Sequence, residues 1–293
     1  MHYRASSSRL DLDETIIRPL TADDLISAHR LSIEVGWPHR PRDWRLAFDL
    51  GQGFVACDGI GRILGTAMWW PLGEAFAAIG MVIVSPRLQA RGAGRRLMEA
   101  IQAATAGRNL RLNSTREGHR LYLSLDFEPV GYIYQHQGIA QPPVGAAPAL
   151  QGQVHTVERA DWPEIAALDA RSFGADRSAV YDKLSEVAQG TVIRQDGRIA
   201  GFALCRPFGR GHVVGPVLAP DDAAAIALAA PHVQRHAGKF LRADTPFKEG
   251  AFAEFLDRSG LANYDKATTM VRGATLSPQG PALVYGCVSQ ALG

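Results

Sequence analysis

Short runs of alternating apolar and polar positions open the chain, give way to helical spacing, and then the same succession returns. Thr15-Ile16-Ile17-Arg18 is short and β-branched, and Thr21-Ala22-Asp23-Asp24 supplies a capping residue ahead of an apolar-periodic helix. Residues 54–57 and 63–70 flank Asp58-Gly59-Ile60-Gly61-Arg62, the pattern of a β-hairpin. A further strand is predicted over 77–84, a helix over 95–104 with Leu97, Met98 and Ile101 on one side, and a short strand over 110–112. A helix over 116–125 and a strand over 128–134 close the series. Adjacent prolines and small residues then predict a linker over 141–153. Beyond it the pattern restarts: a strand over 154–157, a helix opening at 160–164, and strands over 191–194 and 199–205 about an Asp196-Gly197-Arg198 turn.

The two halves lie over each other. Gly65 and Gly201, and Pro71 and Pro207, stand 136 residues apart; Pro86 and Pro220, and Phe127 and Leu261, stand 134 apart. A steady offset across strand, loop and helix markers points to two copies of one fold, 14–140 and 154–293.

Composition narrows the function. The 293 residues are 46% hydrophobic and 20% charged, enough apolar material for two cores. A formal charge of +2 excludes nucleic-acid binding by overall charge, so any basic function is local. Cys57, Cys205 and Cys287 are odd in number and lack metal-ligand spacing; Cys57 and Cys205 sit in apolar runs as core thiols, and no metal is expected. The opening residues hold no apolar signal core and no run reaches membrane-span length, so a cytoplasmic location without a membrane partner is expected.

The chemistry concentrates in VSPRLQARGAGRRL, 84–97. It stands between a predicted strand and a predicted helix. Glycines at 92 and 94 let successive amides point into one concavity at the positive end of the helix, and Arg87, Arg91, Arg95 and Arg96 add charge suited to phosphate oxygens. A Walker loop would need a Lys that is absent, and the dinucleotide fingerprint a third glycine where Leu97 stands. A solvated basic turn is the alternative.

Gln89-Ala90-Arg91-Gly92-Ala93-Gly94 resembles the (Arg/Gln)-x-x-Gly-x-(Gly/Ala) signature of the GNAT superfamily of N-acetyltransferases, and residues 121–131, LYLSLDFEPVG, resemble its Leu-Tyr-x-x-x-Gly-Phe segment, with Asp126 in place of the usual glycine. The resemblance covers roughly 15–138. It implies a mixed α/β (α+β) architecture of two tandem GNAT folds, each a central, mostly antiparallel sheet with a splayed strand pair, flanked by helices. It implies a catalytic domain at 14–140 with acetyl-CoA as co-substrate, its pantetheine paired along Met81, Val82, Ile83 and Val84. The pyrophosphate then falls on Gln89, Ala90, Arg91, Gly92, Ala93, Gly94 and Arg95. Tyr122 takes the position where the family often carries the general acid that protonates the departing thiolate; the alternative is an ordinary amphipathic helix residue. The family sometimes has an Asn where Thr115 stands, with Asn113 two residues earlier, and carry-over to either is left open.

A general base is not evident, because 79–84 holds no carboxylate. Glu34, His39, Asp43 and Glu74 are the nearby ionisable groups, each with a surface or loop role as its alternative. The segment 35–44 reads as an irregular aromatic and charged loop bordering the acceptor, so Glu34, Trp37, His39 and Trp44 are candidate substrate contacts, the tryptophans doubling as packing anchors.

At the Pro86–Pro220 alignment the second half has Asp221-Asp222 and no glycine, and Leu256 where the first has Tyr122. Two carboxylates there cap a helix and repel pyrophosphate. This half resembles the degenerate C-terminal domain of tandem GNAT proteins. Arg171, Asp176, Arg177 and Arg272 are its candidate acceptor contacts, with structural ion pairs as the alternative. The expected activity is acetyl transfer to a primary amine of a small molecule or peptide, with a homodimer as the candidate assembly. A non-catalytic acyl-CoA sensor and an arginine-based nucleic-acid binder are the rivals.

Overall fold

Both predicted hairpins form. The computed structural model describes residues 15–86, 92–143 and 153–293. The first half runs β1 (Ile16–Pro19), α1 (Leu25–Glu34), α2 (Pro41–Leu50), β2 (Gln52–Cys57), β3 (Ile63–Leu72), β4 (Phe76–Val84), α3 (Ala93–Ala104), β5 (Asn109–Ser114), α4 (His119–Leu123) and β6 (Glu128–Ile139). The second half repeats it as β7 (Val154–Thr156), α5 (Trp162–Phe173), α6 (Ser178–Val187), β8 (Gln189–Gln195), β9 (Arg198–Phe208), β10 (Gly211–Ala219), α7 (Asp222–Arg235), β11 (Phe240–Thr245), α8 (Ala251–Arg258) and β12 (Ala262–Arg272). A last strand, β13 (Leu283–Gly286), extends the second series.

Packing bears out the repeat. A Cβ on Gly65 of β3 would stand 3.0 Å from Leu97 of α3 and 3.2 Å from the Ile83 carbonyl; one on Gly201 of β9 would stand 3.2 Å from Leu228 of α7 and 2.7 Å from the Leu218 carbonyl. The two aligned glycines do one job, letting a helix leucine and a neighbouring strand close on a bare backbone. The segment 35–44 differs from the sequence reading, because α2 already begins at Pro41. The Arg40 amide donates to the Asp43 carboxylate at 2.8 Å while the Asp43 amide donates to the Arg40 carbonyl at 2.9 Å, a reciprocal cap that starts a helix. The helix expected over 116–125 shortens to α4, and the chain leaves it through Asp126 at φ +63°.

The chain forms two compact units. The first comprises Met1–Phe48, Gln52–Met68 and Met81–Ala106. In it β1 pairs antiparallel with β2, β2 lies beside β3, and α3 buries Leu97, Met98 and Ile101 as its spacing predicts. Arg18 of β1 grips Asp24 with two bonds of 2.7 and 2.8 Å, and that pairing lowers the Asp24 pKa to about 2.

The second unit comprises Asp49–Gly51, Trp69–Gly80 and Gly107–Gly293. Its sheet runs β5-β12-β6-β11-β10-β9-β8-β7. The last strands of the two halves are exchanged. β12 inserts between β5 and β6, pairing Thr269 with Asn113 and Met270 with Leu112, while β6 pairs with β11 through Phe240–Ile139 to Thr245–Tyr134. Each half thus supplies a strand to the other's ladder, and the compact units do not follow the repeat boundary. Asp169 of α5 and Arg177 form a sealed bidentate pair at 2.7 and 2.8 Å, and Arg177 also donates to the Leu292 and Gly293 carbonyls. Arg177 is therefore structural. Cys57, Cys205 and Cys287 are buried free thiols.

His232 of α7 gives this unit a pH dependence. Its Nε2 lies 3.2 Å from both the Ala203 carbonyl and Thr191 Oγ1, on a cavity of about 890 Å³ that Arg159, Trp162 and Arg235 also line. Burial lowers its pKa to about 4. The unfolded chain, at about 6.5, binds the proton more readily between those values, so stability is complete above the unfolded value and falls as pH drops toward 4. Between pH 7 and pH 5 the group removes about 2 kcal/mol. Urea unfolding of the wild type should show that loss, and His232→Gln should flatten it.

Candidate functional site

The first unit holds the strand-to-helix passage for which the sequence offers phosphate as a ligand. Gln89, Ala90 and Arg91 lie outside the described residues. Gly92 stands at the N-cap of α3 with φ +80°, a left-handed conformation that glycine adopts without strain, and a Cβ there would meet no described residue within 4 Å. The ladder of α3 begins with the Arg96 amide on the Gly92 carbonyl at 3.1 Å, which leaves the amides of Ala93 and Gly94 outside it at the positive end of a twelve-residue helix. Ala93 is buried against Leu64 and Val84, fixing the helix start on the strand end. Arg95 lies 4.0 Å from Glu99.

Met81, Val82, Ile83 and Val84 form the last part of β4. Met81 has φ +51° although it is not glycine and is buried, and Thr66 Oγ1 donates to its carbonyl at 2.7 Å. A left-handed residue inside a strand breaks the regular alternation and re-aims the amides beside it, and such strain gathers at functional positions. No feature of the sequence marks Met81, since the conformation comes from the strand's surroundings.

The candidate acceptor residues fall at different depths. Trp44 is 0% exposed and its indole donates to Ser32 Oγ at 3.1 Å, so it is a packing anchor. The Trp37 and His39 rings meet at a tilt of 42° with centroids 5.6 Å apart, and the His39 carbonyl lies 3.1 Å from His29 Nε2. Glu34, the last residue of α1, accepts from Ser85 Oγ at 3.2 Å and lines a cavity of about 400 Å³ with Asp24, Arg30 and Arg62.

Tyr122 belongs to the second unit. It is buried in α4, edge-on to Phe127 at 6.0 Å, with its backbone carbonyl accepting from the Leu125 and Phe127 amides. A side chain on Gly118 would press on its ring at 2.9 Å. Desolvation raises its pKa well above the ordinary phenol value, so the hydroxyl keeps its proton throughout the neutral range. The substitution of Asp126 for glycine is also explained. That position is left-handed, a conformation that Asp tolerates better than most residues.

The second half shows the corresponding place filled. Asp221 caps α7 by accepting from the Ala224 amide at 2.8 Å, and Asp222 accepts from the Phe252 amide at the start of α8 at 2.9 Å. The parallel ladder of β10 with β11 covers only His212–Leu241 and Val213–Arg242; further along, Val217, Leu218 and Ala219 of β10 pair with β13. The chain's own β13 occupies the strand edge, and Leu256 is wholly buried where the first half has Tyr122.

A family model described as acetyltransferase (GNAT) domain matches residues 49–129, and a second of the same description matches 165–286. The chain belongs to the GNAT superfamily. It carries two GNAT domains in tandem. The uncharacterized N-acetyltransferase YitH of Bacillus subtilis (strain 168) is 26% identical over 285 residues, spanning 92% of this chain and 99% of the relative. Among solved structures, an acetyltransferase candidate from Pyrococcus horikoshii matches with a TM-score of 0.79 at 19% identity over the whole of both chains. A tandem GNAT protein from the clavulanic acid biosynthesis pathway matches with a TM-score of 0.62 at 17% identity, over 89% of this chain and all of that one. These structures share the fold of the tandem GNAT chain. Among its described residues no helix is long and apolar enough to cross a membrane, and no group of three or more His, Cys, Asp or Glu is set to hold a metal.

Proposed function

We propose that the chain is an acetyl-CoA-dependent N-acetyltransferase whose first GNAT domain acts on a primary amine, the second having become structural. One contrast supports this reading most. The N-terminus of α3 opens on Gly92, where no described residue stands within 4 Å of a side-chain position, while the N-terminus of α7 is capped by Asp221 and that of α8 by Asp222. The amides of Gly92, Ala93 and Gly94 suit a pyrophosphate at a helix N-terminus. Backbone groups along Met81–Val84 suit an extended amide chain. The amine nitrogen attacks the thioester carbonyl, its proton goes to water or an unassigned base, the C–S bond breaks, and Tyr122 donates its hydroxyl proton to the departing sulfur. Backbone donors beside the kinked Met81 stabilise the oxyanion. Calorimetry with acetyl-CoA together with thiol release across an amine panel tests the reading. Binding with release upon addition of an amine is expected. Tight binding without release for any amine would make the chain an acyl-CoA sensor instead.

A further inference from the structure

The cavity of about 890 Å³ in the second unit has the size of a small-molecule site, roughly 300–1,000 Å³. Every residue lining it falls between Thr156 and Arg235, so it belongs to that unit alone. It opens between the start of α5, the end of α6, the start of β8 and the end of α7 that lies away from Asp221.

Its charge is one-sided. Arg159, His232 and Arg235 line it, and no Asp or Glu does. The neighbouring carboxylates are engaged elsewhere. Glu158 and Asp161 close a reciprocal cap over the turn before α5, Asp161 also pairs with Arg194, and Glu186 pairs with Lys183 at 3.3 Å. Arg159 has no ion-pair or hydrogen-bond partner among the described residues, and Arg235 donates to the neutral Gln189 Oε1, which leaves its charge uncancelled. Both arginines are exposed, at the mouth, whereas His232 is buried.

A basic rim alone is a solvated surface; the buried histidine is what calls for a ligand. The Ala203 carbonyl, 3.2 Å from His232 Nε2, can only accept, so Nε2 carries the ring proton. Thr191 Oγ1 donates its own hydrogen to the Leu228 carbonyl at 2.7 Å, and so it too accepts from Nε2. Burial holds the ring neutral at pH 7, its pKa lowered to about 4, which makes Nδ1 an acceptor. No described residue donates to Nδ1. Trp162 and Pro163 of α5 and Pro231 of α7 add flat apolar surface to the walls. Pro163 also removes an amide hydrogen from the first turn of α5, so that helix start makes a poor phosphate nest, and the guanidinium forks are left as the anion donors.

We propose that this cavity binds a small aromatic carboxylate bearing a hydroxyl or N–H group, with the carboxylate at Arg159 and Arg235, the ring beside Trp162, and the donor on His232 Nδ1. A planar carboxylate matches the guanidinium fork with two parallel bonds, and an indole face suits a flat ring. The site does not rest on the transferase reading of the first domain. A domain whose own carboxylates cap its helix starts thus keeps a ligand site at the other end of α7.

Calorimetry and tryptophan fluorescence of the full chain at pH 7 test this with hydroxybenzoates, aminobenzoates and indole carboxylates. Each acid is compared with its carboxamide, which removes the charge, and each hydroxybenzoate with its methyl ether, which removes the donor. At least one acid should bind about tenfold or more tightly than its carboxamide, and a hydroxybenzoate about fivefold or more tightly than its ether. Replacing both exposed arginines, Arg159→Gln with Arg235→Gln, should abolish the preference for the acid and leave the ligand-free melting temperature unchanged. Binding should quench tryptophan emission in the wild type, and that quenching should vanish in Trp162→Phe. Saturating acetyl-CoA should leave the affinity for the acid unchanged. Equal binding of every acid and its carboxamide, no binding by any acid, or a preference that survives in the double arginine variant would overturn the proposal. So would quenching that persists in Trp162→Phe, displacement of the acid by acetyl-CoA, or tighter binding of phenyl phosphate than of every carboxylate.

Discussion

Tyr122→Phe should lower turnover by about 10²–10⁴-fold, the usual contribution of a positioned general acid, while acetyl-CoA affinity stays within about twofold. The substitution removes one oxygen from a ring that Phe127 and the turn after α4 already hold, so the fold has little reason to change. Burial keeps the Tyr122 hydroxyl protonated, the state a donor needs before the thiolate departs. Steady-state kinetics and calorimetry on the same preparation check both halves of the expectation. Unchanged turnover would remove the acid role, and a parallel loss of affinity would make Tyr122 a binding residue.

Replacing Gly92 and Gly94 together by valine should weaken acetyl-CoA binding by about 100-fold or more, since charge-assisted bonds to backbone amides contribute about 1.5–3 kcal/mol each. The new Cβ at 92 meets no described residue within 4 Å, so the obstruction falls on the ligand. Valine at φ +80° also strains the backbone by about 1–2 kcal/mol. Gly92→Asn separates the two effects, because asparagine accepts the left-handed conformation: affinity should fall while the melting temperature holds. Affinity equal to wild type in both variants would leave the sequence 84–97 a solvated basic turn.

Much of the fold was legible in the sequence because its signals are local. Hairpin turns, capping residues and helical periodicity act within a few residues, and β2, β3, β8 and β9 fall where they predict. The paired glycines at 65 and 201 were legible as a repeat, and their packing gives the reason for the spacing. What escaped was non-local. The cap of α2 at Pro41 hid behind an aromatic, charged segment that reads as a loop. Trp44 has the composition of a surface contact, and only its closure over Ser32 makes it core.

By itself the sequence determined two copies of one fold, an anion-suited strand–glycine–helix passage in the first, and its replacement by Asp221-Asp222 in the second. Chain-local chemistry is sufficient for each of these, because an amide nest and a capping carboxylate are built from consecutive residues. Only the tertiary structure decided that β6 and β12 trade places, that Met81 is held left-handed, that β13 fills the strand edge of the second copy, and that Arg177 is sealed on Asp169. Those depend on which distant strands satisfy one another's backbone hydrogen bonds and which charges meet after folding, and no spacing along the chain encodes either.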